Sequence, residues 1–358
     1  MGPQKAQTFT GTPAEHGFAF PPEWHPHRGT WISWPRPEGI SFPGLYNEAI
    51  DDIAGLIREI VSREEVHLNV ANENCRRIVR DFLRSRNVPL RRVFFHFIAT
   101  NEAWARDHGP AFVLRRRRHK VEAAIVDWGF NAWGGKYPPW DADDAVPTRI
   151  AEELELPVFH PGIVMEGGAV DFNGAGTVLT TTSCLLNKNR NRKLSKARIE
   201  KYLKDYYGQR HVVWLGKGIE GDDTDGHIDD LARFIDERTI AIGIETNRRD
   251  PNFAVLRKAR RALEKAVDQD GQPFDIVELP MPRPMSIEGQ RVPATYVNFY
   301  FVNGALLVPT FGQRDRDRAA MRILQQRLAN RAVIGIDCRH LIWGLGAVHC
   351  FTQQQPAC

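Results

Sequence analysis

Val348-His349-Cys350-Phe351-Thr352-Gln353-Gln354-Gln355-Pro356, with Gly344 and Gly346 just upstream, is the most informative stretch of this 358-residue chain. A cysteine after a glycine-rich, apolar turn can be held in one orientation close to a ligand, because glycine lets the backbone approach. Such a thiol is a candidate nucleophile once a base or a cation makes it a thiolate. The competing reading is a buried structural cysteine. Working outward, three segments offer the partners a thiolate would need. They are His227 with Asp229, the run Trp104-Ala105-Arg106-Asp107, and Glu166-Gly167-Gly168.

The chain is 42% hydrophobic and 26% charged, the balance of a soluble globular protein with a large core. Its length allows one large domain or two or three small ones. No Pro/Ser-rich or charge-block linker marks a boundary, so one domain over residues 1–358 is expected. A net charge of only +4 argues against a polyanion binder. No apolar run approaches the ~20 residues of a membrane span, so no membrane partner is expected. The opening Met1-Gly2-Pro3-Gln4-Lys5-Ala6-Gln7 lacks the apolar stretch of a secretory signal. The five cysteines, Cys75, Cys184, Cys338, Cys350 and Cys358, are odd in number and widely spaced. That pattern suggests reduced thiols in a cytoplasm and not a disulfide framework.

Apolar period marks helices over Tyr46–Arg63, Cys75–Arg84, Val146–Leu154, Lys196–Tyr206, Asn252–Val267 and Asp315–Leu328. Ser195 and Asp250-Pro251 read as helix starts. Between them lie β-rich runs at Val66–Val70, Arg92–Ile98, Ala123–Asp127, Val212–Leu215, Thr239–Ile244, Phe274–Leu279, Tyr296–Val302 and Ala332–Ile336. The later helices recur at roughly 50–65 residues, a period that suggests repeated supersecondary units. A doubly wound sheet alternates similarly, but no G-x-G-x-x-G follows a strand and no P-loop is present. The candidate residues are spread evenly along the chain. A radial arrangement, each unit sending loops or strand ends to one axis, would bring them together.

His227 and Asp229 follow Gly221-Asp222-Asp223-Thr224-Asp225-Gly226 and precede the apolar Leu231-Ala232-Arg233-Phe234-Ile235. If a strand begins near His227, the two side chains share one face. A surface loop with incidental charges is the alternative. A calcium loop fails, because its frame would put Gly221 at the first ligand position and Ala232 at the last. Asp107 precedes a strand-like Ala111-Phe112-Val113-Leu114. Its carboxylate can accept two hydrogen bonds from a guanidinium fork, and Trp104 can supply a cation–π face. A local Arg106–Asp107 salt bridge beside a core tryptophan is the alternative. Glu166 before two glycines allows close backbone approach to a ligand, or simply a turn. His349-Cys350 with Cys338 and His340 matches no usual zinc spacing, so no metal is expected.

Arg115-Arg116-Arg117-Arg118-His119-Lys120 and Lys188-Asn189-Arg190-Asn191-Arg192-Lys193 are basic clusters without the interleaved aromatics of a nucleic-acid face. The first reads as an exposed hairpin tip. The second reads as structural, since Asn and Arg side chains can tie down backbone groups. No nucleic-acid partner is expected.

The ordered set of motifs resembles the agmatine deiminase/bacterial-type peptidylarginine deiminase family of guanidino-group-modifying enzymes. The likeness runs from Gly17-Phe18 and Pro22-Glu23-Trp24-His25-Pro26-His27 through Trp104–Asp107, Asn131–Tyr137 and Glu166–Gly168. It continues through Leu185–Arg190, Gly221–Asp229 and Tyr296–Phe299 to His349–Pro356. The chain departs where Gly344-Leu345-Gly346-Ala347-Val348 replaces Gly-Gly-Gly-Asn-Ile. It departs again at Asn101-Glu102-Ala103, in place of an acidic pair, and at His108, in place of a threonine. The resemblance implies a pentein-like five-bladed α/β propeller of pseudo-fivefold ββαβ units, with the active site on the axis.

It also implies roles. Cys350 matches the nucleophile that attacks the guanidinium carbon, and Asp107 and Asp229 match the carboxylates that bind the guanidinium nitrogens. His227 matches the general acid/base, and Glu166 the acid that orients His227 and the substrate. Trp104 corresponds to an aromatic wall of the substrate slot. Trp133 is a further wall, and Gly346 lies where the backbone nears the substrate. The implied reaction is hydrolysis of agmatine to N-carbamoylputrescine and ammonia through a thiouronium intermediate, with no cofactor. Peptidylarginine or free arginine is the alternative substrate. A non-catalytic polyamine- or guanidine-binding module would lack Cys350 or His227, and both are present. A homodimer is left open.

Overall fold

The computed structural model describes residues 9–358, so the opening heptapeptide read above for a leader lies outside the described residues. Strands β1 (His27–Ser33), β2 (Glu65–Asn69) and β3 (Val93–His96) begin the chain's first sheet. Then follow β4 (Ala111–Arg117), β5 (Lys120–Val126) and β6 (Val158–Phe159), and β7 (Val170–Phe172), β8 (Thr177–Thr181) and β9 (His211–Leu215). Next are β10 (Ala232–Phe234), β11 (Thr239–Ile244) and β12 (Asp275–Pro280). A two-stranded hairpin, β13 (Ser286–Ile287) and β14 (Gln290–Arg291), precedes β15 (Tyr300–Val302), β16 (Ala305–Thr310) and β17 (Ala332–Asp337). The last strand, β18 (Gln353–Pro356), returns to pair with β1.

One rule builds these sheets. Within β4–β6, β7–β9, β10–β12 and β15–β17, the first two strands are antiparallel and the third is parallel to the second. A parallel neighbour requires a crossover. Helices Val146–Leu154, Lys196–Tyr207, Pro251–Leu263 and Arg314–Arg327 supply the four crossovers. The sheet β18-β1-β2-β3 follows the same rule across the chain ends. There β18 is the antiparallel partner of β1, helix Tyr46–Val61 crosses over, and β2 lies parallel. The fold is therefore mixed α/β, made of five ββαβ units.

The local reasons are those legible in the residues. Ile53, Leu56, Ile57 and Ile60 of helix Tyr46–Val61 are all at 0% exposure. Each such burial is worth about 1.5–3 kcal/mol. The Ser195 hydroxyl accepts from the Arg198 amide and the Asp250 carboxylate from the Asn252 amide, capping the helices they precede. Arg116–Lys120 form the exposed tip of the β4–β5 hairpin, as expected.

Two expectations change. The strand anticipated over Tyr296–Val302 is confined to Tyr300–Val302. Tyr296–Phe299 forms a buried turn instead, which frees the Asn298 side chain from the sheet. His227 and Asp229 do not share a strand face either. They flank and enter a 3₁₀ turn, Ile228–Asp230, and β10 begins only at Ala232. The tighter turn brings both groups inward without the two-residue alternation of a strand.

Candidate active site

The turns that lead into the first strand of each unit carry the candidate residues. Asp107 lies in the helical turn Ala105–His108 before β4, and Glu166 immediately precedes the turn Gly167–Ala169 before β7. His227 and Asp229 precede β10, Asn298 precedes β15, and Cys350 precedes β18. These turns touch one another in a ring. The Gly168 amide donates to Asp107 Oδ1 at 2.9 Å. His227 Nε2 lies 3.9 Å from Glu166 Oε2, and His227 Nδ1 lies 3.7 Å from Asp107 Oδ1. Asn298 Nδ2 donates to Asp230 Oδ1 and to Cys350 Sγ, both at 3.0 Å. The Arg106 amide closes the ring on the Cys350 carbonyl at 3.1 Å.

Cys350 is buried, with Sγ 3.6 Å from Asp229 Oδ2. Burial pushes its thiol well above the ordinary range, and Asp229, Asp230 and Asp107 push it the same way. The resting sulfur is therefore a neutral thiol. Burial opposes the imidazolium of His227, but Asp107, Cys184 and Glu166 overcome it and hold His227 well above its ordinary range. Among the described residues, neither His227 ring nitrogen has a hydrogen-bond partner, and neither does Asp229 Oδ1. Unsatisfied buried polar atoms are costly, so His227 Nδ1 and Asp229 Oδ1, 3.9 Å apart, mark a place for a polar ligand.

The carboxylates are held separately. Asp107 Oδ2 accepts from the Trp133 indole at 2.9 Å. Burial raises its pKa, and the charges of Asp229 and Glu166 add to the rise. Burial likewise opposes the charge of Asp229, yet the 2.6 Å hydrogen bond from His349 Nδ1 and the neighbouring imidazoles keep its pKa low. Glu166 is not hydrogen-bonded to His227. Its Oε1 accepts from Arg190 Nε at 2.5 Å, and this cation outweighs burial and holds the carboxyl ionised. The basic cluster around Arg190 is structural as read: Asn189 and Arg190 bind Asp225, and Asn191 binds the Val164 backbone. Arg106 does not pair with Asp107. It reaches Glu23 at 3.2 Å and Gln354 at 2.7 Å.

Glu23 is the buried hub behind the site. Its carboxylate meets Arg106, Arg233 at 3.0 Å and His349 Nε2 at 2.8 Å. Arg233, the His349 hydrogen bond and Arg106 together outweigh burial and hold it well below the usual carboxylate range. Glu23→Gln is expected to cost about 3–5 kcal/mol, because it leaves buried cations without their partner. Urea unfolding of both proteins measures it.

A cavity of about 210 Å³ opens on Cys350 and Asp107. Trp104, Trp133, Tyr137 and Trp343 form aromatic walls, while Glu102, Asp223 and Gln290 are among its polar lining groups. The Trp104 indole donates to Ser41 Oγ at 2.9 Å, and Ser41 donates to Glu102, fixing that wall. Gly346 is required by closeness: a Cβ there would stand 2.5 Å from Trp104 and 2.9 Å from the Cys350 Cβ. Gly168 is tighter in chemical terms, since a Cβ would lie 2.5 Å from His227 Nδ1 and 2.8 Å from Asp107 Oδ1. Gly168→Ala should therefore lower kcat by about 10²-fold with the fold retained, the cost of displacing reacting groups by about 1 Å. Steady-state kinetics with a circular-dichroism control would check it.

All five expected polar residues, with Trp104, Trp133 and Gly346, meet in this one region. Asn298, Asp230 and the His349–Glu23 pair had no assigned role, and Arg190 had only the structural role of its cluster. The only signal for Asn298 and Glu23 was their presence inside quoted motifs.

Five ββαβ units whose leading turns converge on a thiol, an imidazole and buried carboxylates define a mixed α/β protein with a cysteine-centred, acid-rich site. The chain belongs to the Porphyromonas-type peptidyl-arginine deiminase family, which matches residues 19–356. It is 34% identical to agmatine deiminase of Medicago truncatula, with 97% of this chain and 98% of the relative covered. It is 35% identical to agmatine deiminase of Pseudomonas aeruginosa, with 97% and 98% covered. Among solved structures, agmatine deiminase of Enterococcus faecalis superposes with a TM-score of 0.89 at 31% identity, covering 98% of this chain and 99% of that one. Substrate-bound C. jejuni agmatine deiminase, a cysteine-to-serine form, superposes with a TM-score of 0.84 at 33% identity, covering 94% and 96%.

Proposed function

We propose that this protein hydrolyses agmatine to N-carbamoylputrescine and ammonia, with Cys350 as the nucleophile. The observation that carries the reading is the cavity itself. Its lining has aromatic walls and the acids Glu102 and Asp223, and among the described residues no lysine or arginine lines it. An aliphatic chain ending in an ammonium suits that lining. The α-carboxylate of free arginine would find no cation there and would face Asp107 and Glu102 in poor solvent. The curated relatives named agmatine deiminase support the same choice.

The residues divide the work as follows. The guanidinium enters between Asp107 and Asp229, and its positive charge lowers the cost of ionising Cys350 beside it. The thiol proton leaves to Asp229 or to solvent, and sulfur adds to the guanidinium carbon. His227, held as an imidazolium, protonates the departing nitrogen, and ammonia leaves. The neutral imidazole then takes a proton from water. Hydroxide adds to the thiouronium carbon, the C–S bond breaks and the urea product forms. Glu166, fixed by Arg190, stabilises the imidazolium electrostatically across 3.9 Å. Trp133 fixes Asp107 through its indole hydrogen bond.

The same reading makes residues 1–358 one catalytic domain, a five-bladed propeller with the leading turns at its axis. Support comes from the ring of contacts between turns and from β18 completing the sheet of β1. The deciding experiment compares kcat/KM for agmatine, free arginine and a peptide ending in arginine. Agmatine should exceed free arginine by at least about 10²-fold, roughly 2.7 kcal/mol of transition-state discrimination. A better rate with either competitor would overturn the substrate assignment and leave the deiminase chemistry standing.

A further inference from the structure

We propose that Glu166, Cys184 and His227 form an inhibitory site for a thiophilic divalent metal, zinc above all. Cys184 forms no bond to the substrate and moves no proton in the reaction proposed above, although it helps raise the His227 pKa. It is at 0% exposure in the turn Thr182–Leu185, which follows β8. Its Sγ lies 3.9 Å from Glu166 Oε2, as does His227 Nε2. All three donor atoms lie within 4.8 Å of one another. Ligand atoms on a tetrahedral zinc stand about 3.3–3.7 Å apart. The set therefore needs to contract by only a few tenths of an ångström on the two measured edges.

The independent mark of a ligand site is His227, whose Nε2 is fully buried and makes no hydrogen bond among the described residues. Arg190 holds Glu166 through Oε1 and leaves Oε2 as the donor, the kind of outer contact that orients a metal ligand. On binding, Zn–S, Zn–N and Zn–O bonds form, the thiol proton and any imidazolium proton pass to solvent, and nothing is oxidised. A second set, Asp229, Asp230 and Cys350, is equally close. Two of its donors are already engaged, since Asn298 donates to both Asp230 and Cys350. It also lacks an imidazole, so the geometry favours the first set.

Zinc on Nε2 replaces the imidazolium by a metal-bound imidazole, whose remaining Nδ1–H, the one facing Asp107 and Asp229, is too weak an acid to protonate the leaving nitrogen, so occupancy stops turnover. That consequence rests on the proposed function, but metal binding does not. The test titrates zinc and cobalt(II) into the wild-type protein and into Cys184→Ala. Ammonia release and the thiolate-to-cobalt charge-transfer band are read together. Wild type should take up one metal ion, show the band and lose activity, with recovery on adding EDTA. Cys184→Ala, scored against its own metal-free rate, should lose the band and need at least about 10²-fold more zinc for inhibition, since a direct ligand should cost no less than the upper end of outer-contact effects. Cys184→Ser serves if the alanine form does not fold. Equal zinc sensitivity in the Cys184 variants, a band abolished only by Cys350→Ala, or no metal uptake by wild type would each overturn the proposal. The cobalt band decides the site even if agmatine is not the substrate.

Discussion

Cys350→Ser is expected to lower turnover of agmatine by at least about 10⁴-fold while leaving the fold and substrate binding in place, the scale of removing a nucleophile from a concerted site. The argument is local. Sulfur is the nucleophilic atom that the cavity offers beside Asp107 and Asp229, and serine in its place could not be ionised there. The thiol itself is already hard to ionise, because burial and then Asp229, Asp230 and Asp107 all raise its pKa. The sign follows directly. Below a raised pKa the thiolate fraction falls about tenfold per pH unit, so neutral iodoacetamide should label the free protein slowly near neutrality and faster as pH rises. A cationic haloacetamidine brings its own positive charge into the acidic pocket and should outpace iodoacetamide at neutral pH. Mass spectrometry should place that label on Cys350 and not on Cys75, Cys184, Cys338 or Cys358. Near-normal activity in Cys350→Ser would end the covalent mechanism.

His227→Ala is expected to reduce kcat by at least about 10²-fold, the usual cost of losing a general acid/base. The environment prepares the acid role first. Desolvation opposes the charged ring, but Asp107, Cys184 and Glu166 hold it protonated well above its ordinary pKa. Removing the ring also leaves Asp107 and Asp229 facing each other without the cation between them, 3.7 and 3.9 Å from its Nδ1. His227 also opposes the rise in the Asp107 pKa, so its loss favours a neutral Asp107 carboxyl, weakens the guanidinium grip and raises KM along with the fall in kcat. Pre-steady-state kinetics separates the two effects. An unchanged rate of ammonia release in the first turnover would remove His227 from the chemistry.

Much of this was legible in the residues. The apolar stripe from Ile50 to Val61 and the caps Ser195 and Asp250 fixed their helices through local rules. The strand at Thr239–Ile244 matched its expected bounds. The motif residues Cys350, His227, Asp229, Asp107 and Glu166 were each nameable in advance. Their mode of delivery was not: His227 and Asp229 enter from a 3₁₀ turn because Ile228 and Leu231 are buried behind it, a contact between distant segments.

What the sequence by itself determined is the chemistry available: one thiol after glycines, one histidine, three acids and the tryptophans, in a fixed order along the chain. Those depend on residue identity and near neighbours. What only the tertiary structure decided is which charges exist at those groups. Glu166 is ionised because Arg190 lies 2.5 Å away, and Asp229 because His349 bridges it to Glu23, more than 200 residues distant along the chain. Asn298 reaches Cys350 only because β18 returns to β1. A protonation state is set by burial and by charges within a few ångströms, and those distances come into being only when segments distant along the chain pack together.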